Sequence, residues 1–235
     1  MTQVDITFVA SDNAVTRRER RRQSAYREEV LGLAPGRRGD QILGNHLPAD
    51  DRRSIDGIEC EWAPDRREHL NDGTAFDAVV AARRLDGRRL LIAVEAKYID
   101  TFTRDRRDKT SAKDRKYRRL CEEFGMTQAA FDALGGDRTR QLLRNVLLTE
   151  SVRRGGRSGE SPLFDEALTV VLARDDDEAA RTAVAAVEQE RGALPTAVTF
   201  IGHGELADAA AGVDELAEWA GRFRRRYVGE TRASK

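Results

Sequence analysis

The stretch from Ala75 to Tyr98 constrains this chain most. AFDAVVAARR and RLLIAVEAKY are two largely apolar segments with Leu85-Asp86-Gly87 between them. An Asp-Gly step between apolar runs is a strong short-range signal for a β-hairpin. The hairpin carries charge where a buried strand pair should have none: Asp77 sits in the first segment, and Glu95 and Lys97 end the second.

Two turns fit the spacing. A two-residue Asp86-Gly87 turn pairs Leu85 with Arg88, faces Asp77 with Ala96 and sets Asp77 among Leu90, Ile92 and Val94. A three-residue loop, Leu85-Asp86-Gly87 with Gly87 left-handed, pairs Arg84 with Arg88 instead. Asp77 then lies across from Glu95, and Ala78–Val94, Val80–Ile92 and Ala82–Leu90 make a wholly apolar face. A shift of one residue flips a strand's whole side-chain set. The second register keeps carboxylates out of the core and is the one expected.

Glu95 and Lys97 are two residues apart and share a strand face. Buried without partners, such a pair is costly. In the three-residue register Asp77 joins them. Two carboxylates across a strand pair suit a hard divalent cation such as Mg²⁺, which takes oxygen ligands and keeps waters. A neighbouring lysine can orient or help deprotonate a water and offset charge on a phosphate. These are the parts needed to hydrolyse a phosphodiester. A structural ion pair at a strand end is the alternative reading of the same residues.

The rest of the chain reads as follows. A basic helix is expected over about 13–33, ended by Pro35-Gly36, and a first strand over 55–62. Residues 101–116 read as a charged loop entering a helix, and helices are expected over 122–134 and 138–152. The nearly continuous apolar run Ala167–Ala173 predicts a strand buried on both faces. A helix from about 175 to 191 follows, then a strand over 197–201 and a helix over 213–227. An antiparallel meander followed by alternating helices and strands is a mixed α/β sheet covered on both faces. With no internal repeat and no second hydrophobic centre, one domain is expected over 1–235, its core at about 14–201.

Asp77 and Glu95-Ala96-Lys97, with this element order, resemble the PD-(D/E)XK nuclease superfamily. More narrowly, the chain resembles a bacterial family of restriction-endonuclease-like proteins. That resemblance rests on Gln23-Ser24-Ala25-Tyr26-Arg27, the FDA…EAKY hairpin and Gln141-Leu142-Leu143-Arg144-Asn145, over about residues 17–175. It implies a restriction-endonuclease-like fold with Asp77 and Glu95 as metal ligands and Lys97 as the catalytic lysine. It adds Glu28 as a first-helix ligand, with Glu29 behind it, and Gln141 approaching from its helix. Phe76 stands where the motif has its proline. The activity implied is that of an Mg²⁺-dependent endonuclease on double-stranded DNA, with Mn²⁺ as a substitute and a homodimer compatible with it. A catalytically silent domain binding DNA or a protein, and a nuclease acting on RNA or branched DNA, are the alternatives.

Composition sets the remaining bounds. Lys+Arg and Asp+Glu both number 41, so net charge is zero and any grip on phosphate must be local. The basic runs at 17–22, 104–107, 115–119 and 223–226 are candidates, each weighed against an ordinary solvated face. Lys97 is one of only five lysines, so its place on a strand is informative. Glu59 and Glu61 flank Cys60 on the first strand and read as surface positions, as His46 reads as a loop residue. Cys60 and Cys121 read as unpaired thiols of a reducing compartment. No zinc spacing, Walker loop or nucleophile elbow is present. The first ten residues lack a basic start, so no signal peptide is expected there; with no apolar run long enough to span a membrane, a cytoplasmic protein is expected.

Overall fold

The computed structural model describes residues 54–84, 86–97, 111–136, 139–156 and 161–228. The expected first helix with Glu28 and Glu29, His46, and the basic runs at 17–22 and 104–107 lie outside these residues.

Strands β1 (Ser54–Cys60), β2 (Ala78–Arg83) and β3 (Arg89–Ala96) form an antiparallel meander. Strands β4 (Glu166–Ala173) and β5 (Ala197–Gly202) continue the sheet parallel to β3, in the order β1-β2-β3-β4-β5. Parallel neighbours need a crossover of a dozen or more residues. Three helices fill the one between β3 and β4: α1 (Ala112–Glu123), α2 (Gln128–Leu134) and α3 (Arg140–Arg154). Then α4 (Glu178–Glu190) links β4 to β5, and α5 (His203–Ala211) and α6 (Ala217–Phe223) follow. This is the mixed α/β sheet expected.

The hairpin takes the three-residue loop. Ala78 pairs with Val94, Val80 with Ile92 and Ala82 with Leu90. The Arg84 N–H donates to the Arg88 carbonyl at 2.8 Å, and the Gly87 N–H to the Arg84 carbonyl at 2.9 Å. Gly87 has φ of +84°, a conformation open to glycine at little cost.

Both faces of the sheet are covered. Val79, Ala81, Leu91 and Ala93 share one buried cluster with Leu142, Val146 and Leu147 of α3. On the other face Val94 and Ile201 pack with Leu172, Ala207, Phe223 and Tyr227. Burying a leucine or phenylalanine stabilises by about 1.5–3 kcal/mol, so these two clusters hold the helices to the sheet.

Three local expectations are corrected. Residues 122–134 are not one helix. Ser111 caps α1, its Oγ accepting from the Asp114 N–H at 3.0 Å; the helix stops before Gly125, at φ +93°, and Thr127 caps α2. Helix α1 starts at Ala112, inside the 101–116 stretch expected as a charged loop entering a helix, because its charges hide a buried stripe of Asp114, Tyr117, Leu120 and Cys121. Residues 213–227 are a 3₁₀ turn, α6 and a π turn in succession. Leu216, at φ −104° and ψ −8°, is off the α-helical values and separates the first two. Helix α5 was not expected: it leaves β5 directly at Gly202, with no side-chain cap to announce it.

The connection between β1 and β2 is latched onto α1 by Asp72. That carboxylate accepts from the Thr74 N–H at 2.9 Å, from Lys116 Nζ at 3.2 Å and from the Tyr117 hydroxyl. Burial alone would raise its pKa; the hydrogen bonds from Thr74 and Tyr117 and the Lys116 charge outweigh that and hold it at about 2. Burial and the bond to Asp72 push the Tyr117 phenol up.

Candidate active site

Asp77 is placed by its neighbours rather than by the β2 ladder, which ends at Ala78–Val94. Phe76, 2% exposed, stacks on Trp62 with ring centroids 5.9 Å apart. Its N–H donates to the Trp62 carbonyl, and the Glu61 N–H donates to the Asp77 carbonyl at 2.8 Å. The aromatic residue in the proline's place is therefore an anchor for the aspartate that follows. The Asp77 N–H reaches the Val94 carbonyl at 3.1 Å, and its Oδ2 accepts from the Ala96 N–H at 2.7 Å. Asp77 thus grips β3 on either side of Glu95.

Glu95 and Lys97 are buried, at 7% and 8% exposure. Alternation along β3 turns Glu95 to the side of Leu91 and Ala93, against α3, so the register is the one expected but the expectation that it keeps the carboxylates out of the core is corrected: Glu95 faces the larger core cluster. Its Oε1 meets Lys97 Nζ at 2.6 Å and accepts from Gln141 Nε2 at 3.0 Å; its Oε2 accepts from Asn145 Nδ2 at 2.7 Å. Three donors on one buried carboxylate offset the cost of desolvating it. The Lys97 N–H is tied to β4 through the Leu172 carbonyl at 2.7 Å.

The two amides come from one helix face. Gln141 and Asn145 are four residues apart, so α3 presents them one above the other. Asn145 is 3% exposed, and its carbonyl accepts from Thr149 Oγ1 at 2.8 Å. Thr169 of β4 donates to Thr149 Oγ1 at 3.0 Å. A buried polar chain therefore runs from β4 through α3 to the Glu95 carboxylate.

The family model of the PD-(D/E)XK nuclease superfamily matches residues 40–229. The chain belongs to this superfamily. No curated protein and no solved structure matches it. The strand-end carboxylate and lysine with a helix behind them are thus found in a chain of nuclease ancestry, and nucleases of the PD-(D/E)XK superfamily generally use divalent metals.

Of the residues singled out in sequence, the structure brings Glu95, Lys97 and Gln141 into direct contact and puts Asp77 on the flanking backbone. Glu28 lies outside the described residues. Glu59 sits opposite Val79 in the β1–β2 ladder, while Glu61, at φ +50°, turns the chain out of β1. Among the described residues no three His, Cys, Asp or Glu side chains come together, so neither glutamate completes a three-carboxylate set. Asn145 was missed as a site residue, although its spacing from Gln141 was visible. The basic runs divide: Lys116 turns to Asp72 and the Leu70 carbonyl, Arg118 lies over Phe131, and Arg224 pairs with Asp208. Arg115 and Arg119 stay exposed. Among the described residues Cys60 and Cys121 form no disulfide; Cys121 is buried and Cys60 partly so. Among the described residues no helix is long and apolar enough to cross a membrane.

Proposed function

We propose that this chain is a divalent-metal-dependent endonuclease that hydrolyses phosphodiester bonds in double-stranded DNA, in the manner of a restriction endonuclease. The observation that carries the reading is the buried Glu95–Lys97 pair at the end of β3, with Asp77 bonded to the strand on both sides of it.

The donor set fits a hard cation. Carboxylate oxygens are what Mg²⁺ and Mn²⁺ take, and Mg²⁺ is commonly held by one or two carboxylates, with waters and substrate phosphates completing its shell. Among the described residues Glu95 Oε2 accepts a single hydrogen bond, from Asn145, and an sp² oxygen has two lone pairs. Glu95 and Asp77 would hold the ion, with Glu28 as a further candidate ligand. Such an ion supplies Lewis acidity toward a phosphoryl oxygen and lowers the pKa of water.

The chain's own side chains have separable tasks. Lys97 supplies a fixed positive charge toward the negative charge that builds on the phosphate, and helps orient the attacking water. Gln141 and Asn145 hold the Glu95 carboxylate by both oxygens and fix its direction. The Arg and Lys side chains exposed on the surface supply phosphate contacts that position the duplex without reading its sequence.

The test is incubation of the pure full-length chain with supercoiled, linear, single-stranded and branched DNA and with RNA, in Mg²⁺, Mn²⁺, Ca²⁺ or EDTA. Cleavage of duplex DNA in Mg²⁺ or Mn²⁺, absent in EDTA, is expected. Cleavage confined to RNA or to branched DNA would move the substrate, and no cleavage of any substrate would leave a silent nuclease fold.

A further inference from the structure

The connection between β1 and β2 delivers Asp77, and it is tied to α1 before it gets there. Lys116 Nζ donates to the carbonyl of the buried Leu70 at 2.8 Å and to the Asp72 carboxylate at 3.2 Å, and lies 4.7 Å from the centre of the Tyr117 ring. The Tyr117 hydroxyl donates to the same carboxylate. Asp72 also accepts from the Thr74 N–H, an Asx turn that bends the chain toward β2. Asp77 follows Asp72 by five residues, a reach of at most about 18 Å, and the stacking of Phe76 on Trp62 fixes the end of that reach.

This clamp and the Glu95 cluster share one packed body. The Tyr117 ring is 3% exposed and lies in the same buried cluster as Leu142 and Val146 of α3, the helix whose Gln141 and Asn145 hold Glu95. Glu95 is thus set by α3 directly, and Asp77 through Asp72 and α1. The donors around Asp72 hold its carboxyl at about 2, so the clamp stays charged throughout the neutral range. Two carboxylates that share a cation bind it tightly only at the right spacing, and loss of a group that orients a ligand typically costs about 10–100-fold in metal affinity. We propose that Asp72 is a positioning residue for Asp77: held by Lys116 and Tyr117, it fixes the approach of Asp77 to Glu95 and thereby the affinity of the site for a divalent cation, a role that rests on Asp77 and Glu95 being the ligands.

Isothermal titration of the full-length chain with Mn²⁺, in the absence of nucleic acid, tests this independently of cleavage. Melting curves on the same preparations set a titration temperature at which each variant is folded. Saturable Mn²⁺ binding by the wild type is expected. Asp72→Asn should weaken it about tenfold, and Lys116→Gln, a change at a partly exposed side chain, should weaken it several-fold. Charge alone gives the two variants opposite signs, because losing a nearby cation favours Mn²⁺ binding; loss of the clamp weakens both. Asp177→Ala, which removes the acceptor of the Ala180 N–H at the start of α4, should lower the melting temperature and leave Mn²⁺ affinity at the wild-type value. The proposal alone is overturned if the wild type binds Mn²⁺ and folded Asp72→Asn binds it equally well, if Lys116→Gln leaves binding unchanged or tightens it, or if Asp177→Ala weakens it as much as Asp72→Asn. No Mn²⁺ binding by the wild type overturns it together with the metal-dependent reading of the site.

Discussion

Asn145 offers the sharpest test of how the candidate site is held. Among the described residues its Nδ2 is the one donor on Glu95 Oε2, and both residues are buried. Asn145→Ala removes a hydrogen bond to a charged group and leaves that oxygen unsatisfied, at a cost of about 1.5–3 kcal/mol. For a chain of this size that lowers Tm by roughly 3–12 °C. Asn145→Asp should be worse at pH 7. It sets a second carboxylate where the donor stood, and two like charges about 4 Å apart repel by about 4 kcal/mol at an effective dielectric of about 20. As pH falls the two carboxylates can share a proton, which restores a hydrogen bond between them. Melting curves of the three proteins, followed by circular dichroism from pH 7.5 to 4.5, should show the Asp variant least stable at pH 7.5. They should also show it converging on the Ala variant, or passing it, toward pH 4.5. An Asp variant at least as stable as the Ala variant at pH 7.5, or a constant gap between them at every pH, would refute the reasoning.

Further outcomes follow from other contacts. Glu150, fully buried, ties Arg153, Arg154 and Thr196 together; Glu150→Ala takes the carboxylate from the largely buried Arg153 and the partly exposed Arg154 and should cost about 3 kcal/mol, the low end for a broken buried pair, read by urea denaturation. Asp72, held at about 2 against a usual 3.8, favours the folded state above the unfolded pKa and loses that contribution as pH falls from about 4 toward 2. Its partly exposed setting limits the contribution to roughly 1–2 kcal/mol, so Asp72→Asn should flatten the acid limb of a stability–pH curve. Binding to a DNA duplex in EDTA should weaken steeply between about 50 and 200 mM salt, despite zero net charge, because local arginines release counterions from phosphate.

The hairpin was legible because two local rules agree on it. Gly87 admits the left-handed residue a three-residue loop needs, and only that register gathers Ala78, Val80, Ala82, Leu90, Ile92 and Val94 on one face. Glu95 and Lys97 were legible because charge at the end of an apolar strand demands a partner. Asn145 was not: burial is decided by what packs on α3, and one amide four residues from another is common on solvated helices too. Helix α1 was obscured for the opposite reason. Two of its charged residues, Lys116 and Arg118, are spent on Asp72, Asp132 and the Phe131 ring, so the charge-rich end of the segment expected as a loop entering a helix is already packed helix. The break at Gly125 and the uncapped start of α5 depend on backbone conformation, which composition signals weakly.

The account's central claim is that Asp77, Glu95 and Lys97 form the hydrolytic centre. The most direct measurement is the nicking rate of supercoiled DNA in Mg²⁺ by the wild type and by Lys97→Ala, with duplex affinity and melting temperature measured on the same preparations. The account predicts that Lys97→Ala stays folded, keeps most of its DNA affinity because one cation is a small part of a many-phosphate contact, and loses cleavage. Cleavage by folded Lys97→Ala at the wild-type rate would contradict it.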